Sequence, residues 1–132
     1  LAEALGWLPR ELFKTRDFLA VFSSEQEILS LKPDPALLAR LDCLGVICTA
    51  PGGDCDFVSR FFAPGAGVPE DPVTGSAHST LIPYWSARLG RTQLYARQVS
   101  QRRGELFCEA RGDRVGIAGD AVLYSRAQLE IP

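Results

Sequence analysis

Methionine and asparagine are missing from this chain, and histidine occurs only once, at position 78. Opening on Leu1-Ala2-Glu3 with no methionine anywhere, the sequence shows no translation start, so we expect it to be processed, trimmed or continuous with a longer protein. One histidine and four cysteines (Cys43, Cys48, Cys55, Cys108), nowhere in C-x-x-C spacing, are a poor donor set for a metal site or a redox dithiol. Cys43, Cys48 and Cys108 lie within apolar runs and read as small buried hydrophobes. A reducing, cytoplasmic setting is expected. Excess charge is lacking too: 14 basic and 16 acidic residues leave a net −2, which gives no electrostatic case for nucleic acid or acidic lipid. The Arg102-Arg103 pair is too short to alter that. No signal-peptide pattern and no apolar run of membrane-spanning length occur, so no membrane partner is expected. A G-x-G-x-x-G turn is also absent, which argues against a dinucleotide site.

What is present is globular in character. Hydrophobic residues make up 46% of the 132 and charged residues 23%, enough for one domain over residues 1–132 with a real core. Leu1 to Leu5 reads as a helical turn closed by Gly6. Asp17 to Phe22 is β-rich. Ser24 and Glu27 have capping-box spacing for a short helix to Leu31, and Asp34-Pro35 opens another with Leu37, Leu38 and Leu41 on one face. Gly45–Ala50 and Cys55–Phe62 are strand-length apolar runs around a Pro-Gly-Gly-Asp turn. Ala77, Leu81, Trp85 and Leu89 recur every four residues and predict a helix ending at Gly90, with Pro83 expected to kink it or hydrate it locally. Gln93–Val99, Glu105–Ala110, Arg114–Ala118 and Ala121–Tyr124 are β-like. The order predicts an α+β fold, a largely antiparallel or mixed sheet curling around a central helix.

The chemistry-bearing residues gather in "EDPVTGSAH", residues 70–78. Thr74-Gly75-Ser76 meets the start of the longest apolar helix, where unpaired N–H groups and the positive end of the macrodipole would seat a carboxylate or phosphate. Asp71 would place a proton-handling carboxylate beside that seat. The plainer alternative is an ordinary cap, with Ser76 as N-cap, Asp71 a solvated loop acid and His78 a surface residue of the first turn. Glu70 and Asp71 are unsuited to act as a catalytic pair, because adjacent side chains point apart. Ser76 and His78 likewise diverge at a helix start, and no G-x-S-x-G elbow exists, so a Ser-His hydrolase is disfavoured.

"DFVSRFFAP" (56–64), "EDPVTGSAH" (70–78), "PYWSARLG" (83–90) and "GDRVGIAG" (112–119) together resemble the PhzF-like phenazine-biosynthesis family, in the order of that family's C-terminal half. The resemblance implies one lobe of a diaminopimelate epimerase-like fold: a barrel-like, mostly antiparallel sheet around a central helix. It also implies an active site between two lobes, no metal or organic cofactor, and isomerisation by proton transfer. The best understood member isomerises a dihydro-hydroxyanthranilate with a glutamate as acid/base. On this implication Asp71 and Ser76 line the substrate cleft, and the main chain of Thr74, Gly75 and Ser76 holds a substrate carboxylate. The related epimerases use two thiols, but no cysteine occurs between Phe57 and Phe107, which favours carboxylate chemistry.

Two departures stand out. "SQRRGEL" (100–106) has Arg103 where the family usually has glycine, so strain is expected there if the backbone is left-handed. Ala127 likewise replaces a frequent glycine. The Gly-Asn-Pro turn, glutamate base and histidine of the other lobe have no counterpart in a chain without asparagine. We therefore expect an isomerase lobe acting on a small carboxylate-bearing substrate. Its site would be completed by an N-terminal lobe in the same or another chain. The alternative is a non-catalytic binding or interaction protein that self-associates as a homodimer through the lobe interface.

Overall fold

The computed structural model describes residues 1–131. Four helices form where capping chemistry allows. Helix α1 (Ala2–Leu5) stops at Gly6, whose φ of 71° only glycine adopts freely. Helix α2 (Glu25–Ser30) starts at Ser24, whose Oγ accepts the Glu27 N–H at 3.3 Å, while the Glu27 carboxylate accepts the Ser23 N–H at 2.8 Å. In α3 (Pro35–Leu38), Asp34 Oδ1 accepts the N–H groups of Ala36 and Leu37. The long helix α4 (Gly75–Leu89) ends at Gly90, again left-handed. Pro83 lies inside α4 without ending it, on the exposed face, where the carbonyl it cannot bond meets water. Of the four-spaced residues, Ala77, Leu81 and Trp85 are buried, but Leu89 in the last turn is exposed.

Eight strands form one sheet: β1 (Glu11–Lys14), β2 (Phe18–Val21), β3 (Val46–Pro51), β4 (Phe57–Ala63), β5 (Val68–Asp71), β6 (Gln93–Gln98), β7 (Gly104–Arg111) and β8 (Arg114–Ala118). Their order is β1-β2-β3-β4-β6-β7-β8, with β5 also beside β4. Pairs β2/β3 and β4/β6 are parallel and the others antiparallel, so the sheet is mixed. Strands β1 and β5 carry no period-2 pattern and were not expected from sequence. Conversely, Ala121–Tyr124 is not a strand, because no neighbouring strand lies beside it to accept its hydrogen bonds.

The central strands are buried on both faces, which explains their unbroken apolar runs. In β3 and β4, Ile47, Phe57, Phe61 and Ala63 face α4 and pack with Ala77, Leu81, Ile82 and Trp85. Alternate residues Val46, Cys48, Ala50, Val58 and Phe62 face the other way, against Leu5, Ile28, Leu31 and Leu38 of the small helices and their ends. Both edges of the sheet reach α4. On one side Arg88 donates to Glu11 Oε1 of β1 at 2.7 Å, and Phe13 lies 6.0 Å from Tyr84; on the other, Val115 of β8 packs against the α4 core. The sheet therefore curls around α4 as expected, but β1 and β8 do not pair and the barrel stays open.

Candidate functional site

Strand β4 has two partners along one side. Its first half runs parallel to β6, pairing Phe57–Ser59 with Ala96–Gln98. Its second half pairs with β5, after a shift in register between Phe61 and Ala63. Strands β5 and β6 thus part at a fork, and from that fork residues 72–74 lead into α4.

The loop is pinned from the β6 side. Gln98, fully buried at the end of β6, accepts the Thr74 N–H through Oε1 at 2.8 Å. Its Nε2 donates to the Asp71 carbonyl at 2.7 Å and to Thr74 Oγ1 at 3.1 Å. The Thr74 hydroxyl in turn donates to Asp71 Oδ2 at 2.6 Å, fixing the carboxylate. Two residues on, Ser100 Oγ donates to the Pro72 carbonyl at 2.9 Å and accepts the Arg103 N–H at 3.1 Å. Among the described residues Arg103 is the one non-glycine with positive φ, at 58°, so the backbone strain expected there is present. Its neighbour Gly104 packs so closely on Val73 that any Cβ there would collide with that side chain.

Beyond the pinned loop, the chain is open. Thr74, not Ser76, is the N-cap of α4, and its side chain is committed to Asp71 rather than to capping. Gly75 and Ser76 are exposed, and a Cβ at Gly75 would meet nothing within 4 Å. The start of α4 is therefore exposed at Gly75 and Ser76, while Thr74 and Ala77 on either side are buried. Arg16 overhangs this exposed start: its Nη2 lies 3.4 Å from Ser76 Oγ and 2.7 Å from Asp17 Oδ2, with Nε at 3.2 Å from the same oxygen. Asp17 is buried, and its hydrogen bond and charge raise the Arg16 pKa, holding the guanidinium charged. Asp17 Oδ1 has no partner.

Other expectations change. His78 is fully buried rather than on the surface: its Nδ1 lies 2.7 Å from the Thr74 carbonyl and its ring 5.9 Å from Phe57. A carbonyl partner requires the proton on Nδ1, which leaves Nε2 as a buried lone pair without a partner. Burial lowers the pKa below its ordinary 6.5, so the ring is neutral. Ser76 and His78 thus point apart. Glu70 turns from Asp71 to the outer face, where Arg60 binds it through two nitrogens at 2.7 and 3.0 Å while bonding the Ile28 and Leu31 carbonyls. Cys48 and Cys108 are buried as expected, whereas Cys43 is only half-buried.

The segment forms a ledge, not a closed pocket. Five surface pockets of about 280–330 Å³ are lined by other residues, not by Asp71, Thr74, Gly75 or Ser76. Among the described residues no cluster of His, Cys, Asp and Glu is suited to a metal ion, and no helix is long and apolar enough to cross a membrane. Sequence reasoning missed Arg16, Asp17, Gln98 and Ser100. An Arg-Asp pair just before a β-run was a visible signal for the first two; Gln98 and Ser100 carried none.

Comparison with known proteins places the chain among relatives of one family. The sequence model of the phenazine biosynthesis-like proteins (PhzC-PhzF) matches residues 5–127. An uncharacterised isomerase of Pseudomonas aeruginosa is 51% identical over 131 residues, which is 99% of this chain and 51% of that protein. A phenazine biosynthesis-like domain-containing protein of Bos taurus is 56% identical over 83 residues, 60% of this chain and 29% of its own length. Among solved structures, a PhzF-family protein of Enterococcus faecalis superposes with a TM-score of 0.90 at 46% identity, covering 94% of this chain and 48% of that one. A PhzC/PhzF protein of Clostridium difficile gives 0.88 at 44%, covering 98% and 51%. The chain spans about half the length of the bacterial relatives it matches.

Proposed function

The chain belongs to the phenazine biosynthesis-like family, and from that premise we propose that it forms the C-terminal lobe of an isomerase that moves a proton on a small, carboxylate-bearing substrate without a cofactor. The isomerase names of its bacterial relatives favour this class of reaction. One observation carries the reading: Asp71 is held through Thr74 and Gln98 beside a helix start that is exposed at Gly75 and Ser76, with Arg16 against Ser76 Oγ.

In this reading the substrate carboxylate sits on the main chain of Gly75 and Ser76, favoured by the helix dipole and the Arg16 charge, and not on Thr74 as expected, because Gln98 already takes the Thr74 N–H. Ser76 Oγ hydrogen-bonds the substrate. Asp71 takes up or returns a proton, its position set before the substrate arrives. A second lobe supplies the opposing acid/base and covers the ledge, and excluding water strengthens each of these contacts.

A full-length chimera tests it: this chain fused behind the other half of the Pseudomonas aeruginosa relative, assayed for deuterium uptake from D₂O into cyclic amino and hydroxy acids. Asp71→Ala should lower exchange at least about 100-fold, the usual contribution of a positioned acid/base. Equal exchange in the Asp71→Ala chimera would rule out its role. A non-catalytic, self-associating lobe is the second reading, favoured by the exposed Trp7, Leu8, Leu12 and Phe13 on and before β1. Light scattering that finds this chain a stable symmetric dimer, together with a chimera lacking exchange, would support it.

A further inference from the structure

Glu70 is the neighbour of Asp71 in β5, and the two side chains leave opposite faces of the strand. Asp71 lies across from Phe61 and so shares the α4 face, whereas Glu70 shares the outer face with Arg60 and Phe62. Backbone pairing gives β5 little hold. Its four residues bond only β4, the pairing is broken by a register shift between Phe61 and Ala63, and Pro69 has no N–H to give. Val68 and Pro69 are exposed.

A side-chain clamp makes up the difference. Arg60 Nε donates to Glu70 Oε1 at 2.7 Å and Nη2 to Oε2 at 3.0 Å, a fork that fixes the carboxylate in one plane. The guanidinium is held on two more sides. Its Nη1 donates to the Ile28 and Leu31 carbonyls, both at 3.2 Å, and the group lies over the Phe62 ring at 4.8 Å. Only 13% of the Arg60 side chain and 25% of that of Glu70 are exposed, against 62% and 33% for the Arg111–Glu109 pair, so water screens the clamp far less. The clamp therefore ties β5 to β4 and to the end of α2, one residue before the chain presents Asp71.

We propose that Glu70, through Arg60, is a positioning residue for Asp71: the clamp on the outer face sets the backbone from which the candidate acid reaches Thr74. Thr74 and Gln98 hold the loop from the α4 side, at the Asp71 carboxylate and carbonyl, but neither fixes the strand ahead of it. With β5 free to shift along β4, Asp71 loses its place beside Gly75 and Ser76, and a misplacement of about 1 Å is enough to cost about 100-fold in rate. The adjacent acids thus divide the work, Asp71 reacting and Glu70 anchoring. This inference rests on the proton-transfer reading above and deepens it, since Glu70 itself never meets substrate.

Amide exchange followed by NMR on this chain tests the clamp with no need for activity. The Thr74 N–H, bonded to Gln98, reports the Asp71 loop, and the Phe22 N–H, bonded to the Thr49 carbonyl at 2.8 Å, reports the whole fold. Glu70→Gln should speed Thr74 exchange at least about 10-fold relative to Phe22, and Arg60→Lys, which keeps the charge but not the fork, should do the same. Glu109→Gln, which removes the exposed pair with Arg111, should change that ratio less than about twofold. In the chimera, Glu70→Gln should lower kcat for deuterium uptake at least about 10-fold and leave KM within about twofold. An unchanged ratio of Thr74 to Phe22 exchange would mark an ordinary structural ion pair and overturn the proposal, as would an active chimera whose kcat ignores Glu70→Gln. A parent chimera with no uptake into any substrate would instead overturn the proton-transfer reading, and the positioning role with it, even where Thr74 loosens.

Discussion

Gln98 holds Thr74 by both its main chain and its side chain: Oε1 takes the Thr74 N–H at 2.8 Å, and Nε2 reaches Thr74 Oγ1 at 3.1 Å. A single amide can do this because it is donor and acceptor in one plane. The contact joins the end of β6 to the entrance of α4, 24 residues apart in sequence. It also relays to the candidate acid, since the Thr74 hydroxyl that accepts from Gln98 donates to Asp71. A fully satisfied buried network of this kind specifies one geometry.

Gln98→Leu should therefore cost about 2–4 kcal/mol, because it leaves the Thr74 N–H and the Asp71 carbonyl without partners in a buried place. Gln98→Glu keeps the acceptor and loses the donor. Urea denaturation would rank wild type above both variants. A Gln98→Leu protein as stable as the parent would mean that the clamp is incidental.

Thr49 occupies a similar position in the core. Its hydroxyl accepts the Trp85 indole N–H at 2.9 Å and donates to the Val58 carbonyl at 2.7 Å, while Trp85 stacks on Phe57 at 5.6 Å. Thr49→Val preserves shape and removes both bonds. We expect a loss of about 2 kcal/mol, within the range for an orphaned buried donor. Trp85 emission should change at the same time, and calorimetry with fluorescence reads both.

His78 makes stability depend on pH. Burial holds its folded-state pKa below the ordinary 6.5, so the native ring stays neutral where the unfolded chain takes up a proton. The contribution is complete above pH 6.5 and is lost as pH falls below it, by at most about 1.4 kcal/mol per pH unit, until the lowered pKa is reached. Denaturation midpoints between pH 7.5 and 5.5 should show this slope. His78→Leu should flatten it, although that variant starts from a lower stability because the Thr74 carbonyl loses its donor.

Arg103 adopts a left-handed conformation that glycine favours, at φ 58°. Arg103→Gly relieves about 1 kcal/mol of left-handed strain and returns part of it as unfolded-state entropy, so a net gain of about 0.5 kcal/mol is expected. Arg103→Val should instead lose 1 kcal/mol or more, since a β-branched residue tolerates that region poorly. Thermal denaturation of the pair decides between them.

Local chemistry accounts for what could be read in advance. Gly6 and Gly90 end helices where a left-handed residue was expected, and Asp34 caps α3 with its own side chain. Helix α4 was legible from its spacing, and the apolar runs of β3 and β4 from their burial on both faces. The segment 70–78 was identified as the candidate site, and within it Thr74 fixes Asp71 next to the exposed Gly75. Strands β1 and β5 escaped notice because a short edge strand is defined by its neighbour, not by its own side chains. His78 was misplaced for a related reason: a polar residue in a first turn gives no sign of whether the sheet closes over it.

Residue types and spacing alone determined the helices, the caps of α2 and α3, the apolar strands and the segment proposed as the site, because each depends on contacts within a few positions. Only the tertiary structure decided which groups stand together there. Arg16 beside Ser76, Gln98 on Thr74 and Ser100 on Pro72 join residues 60, 24 and 28 positions apart. The fork of β5 and β6 on β4 brings the latter two within reach of α4, and the loop before β2 brings Arg16. Sheet pairing, a long-range hydrogen-bonding event, has no local signature in the chain.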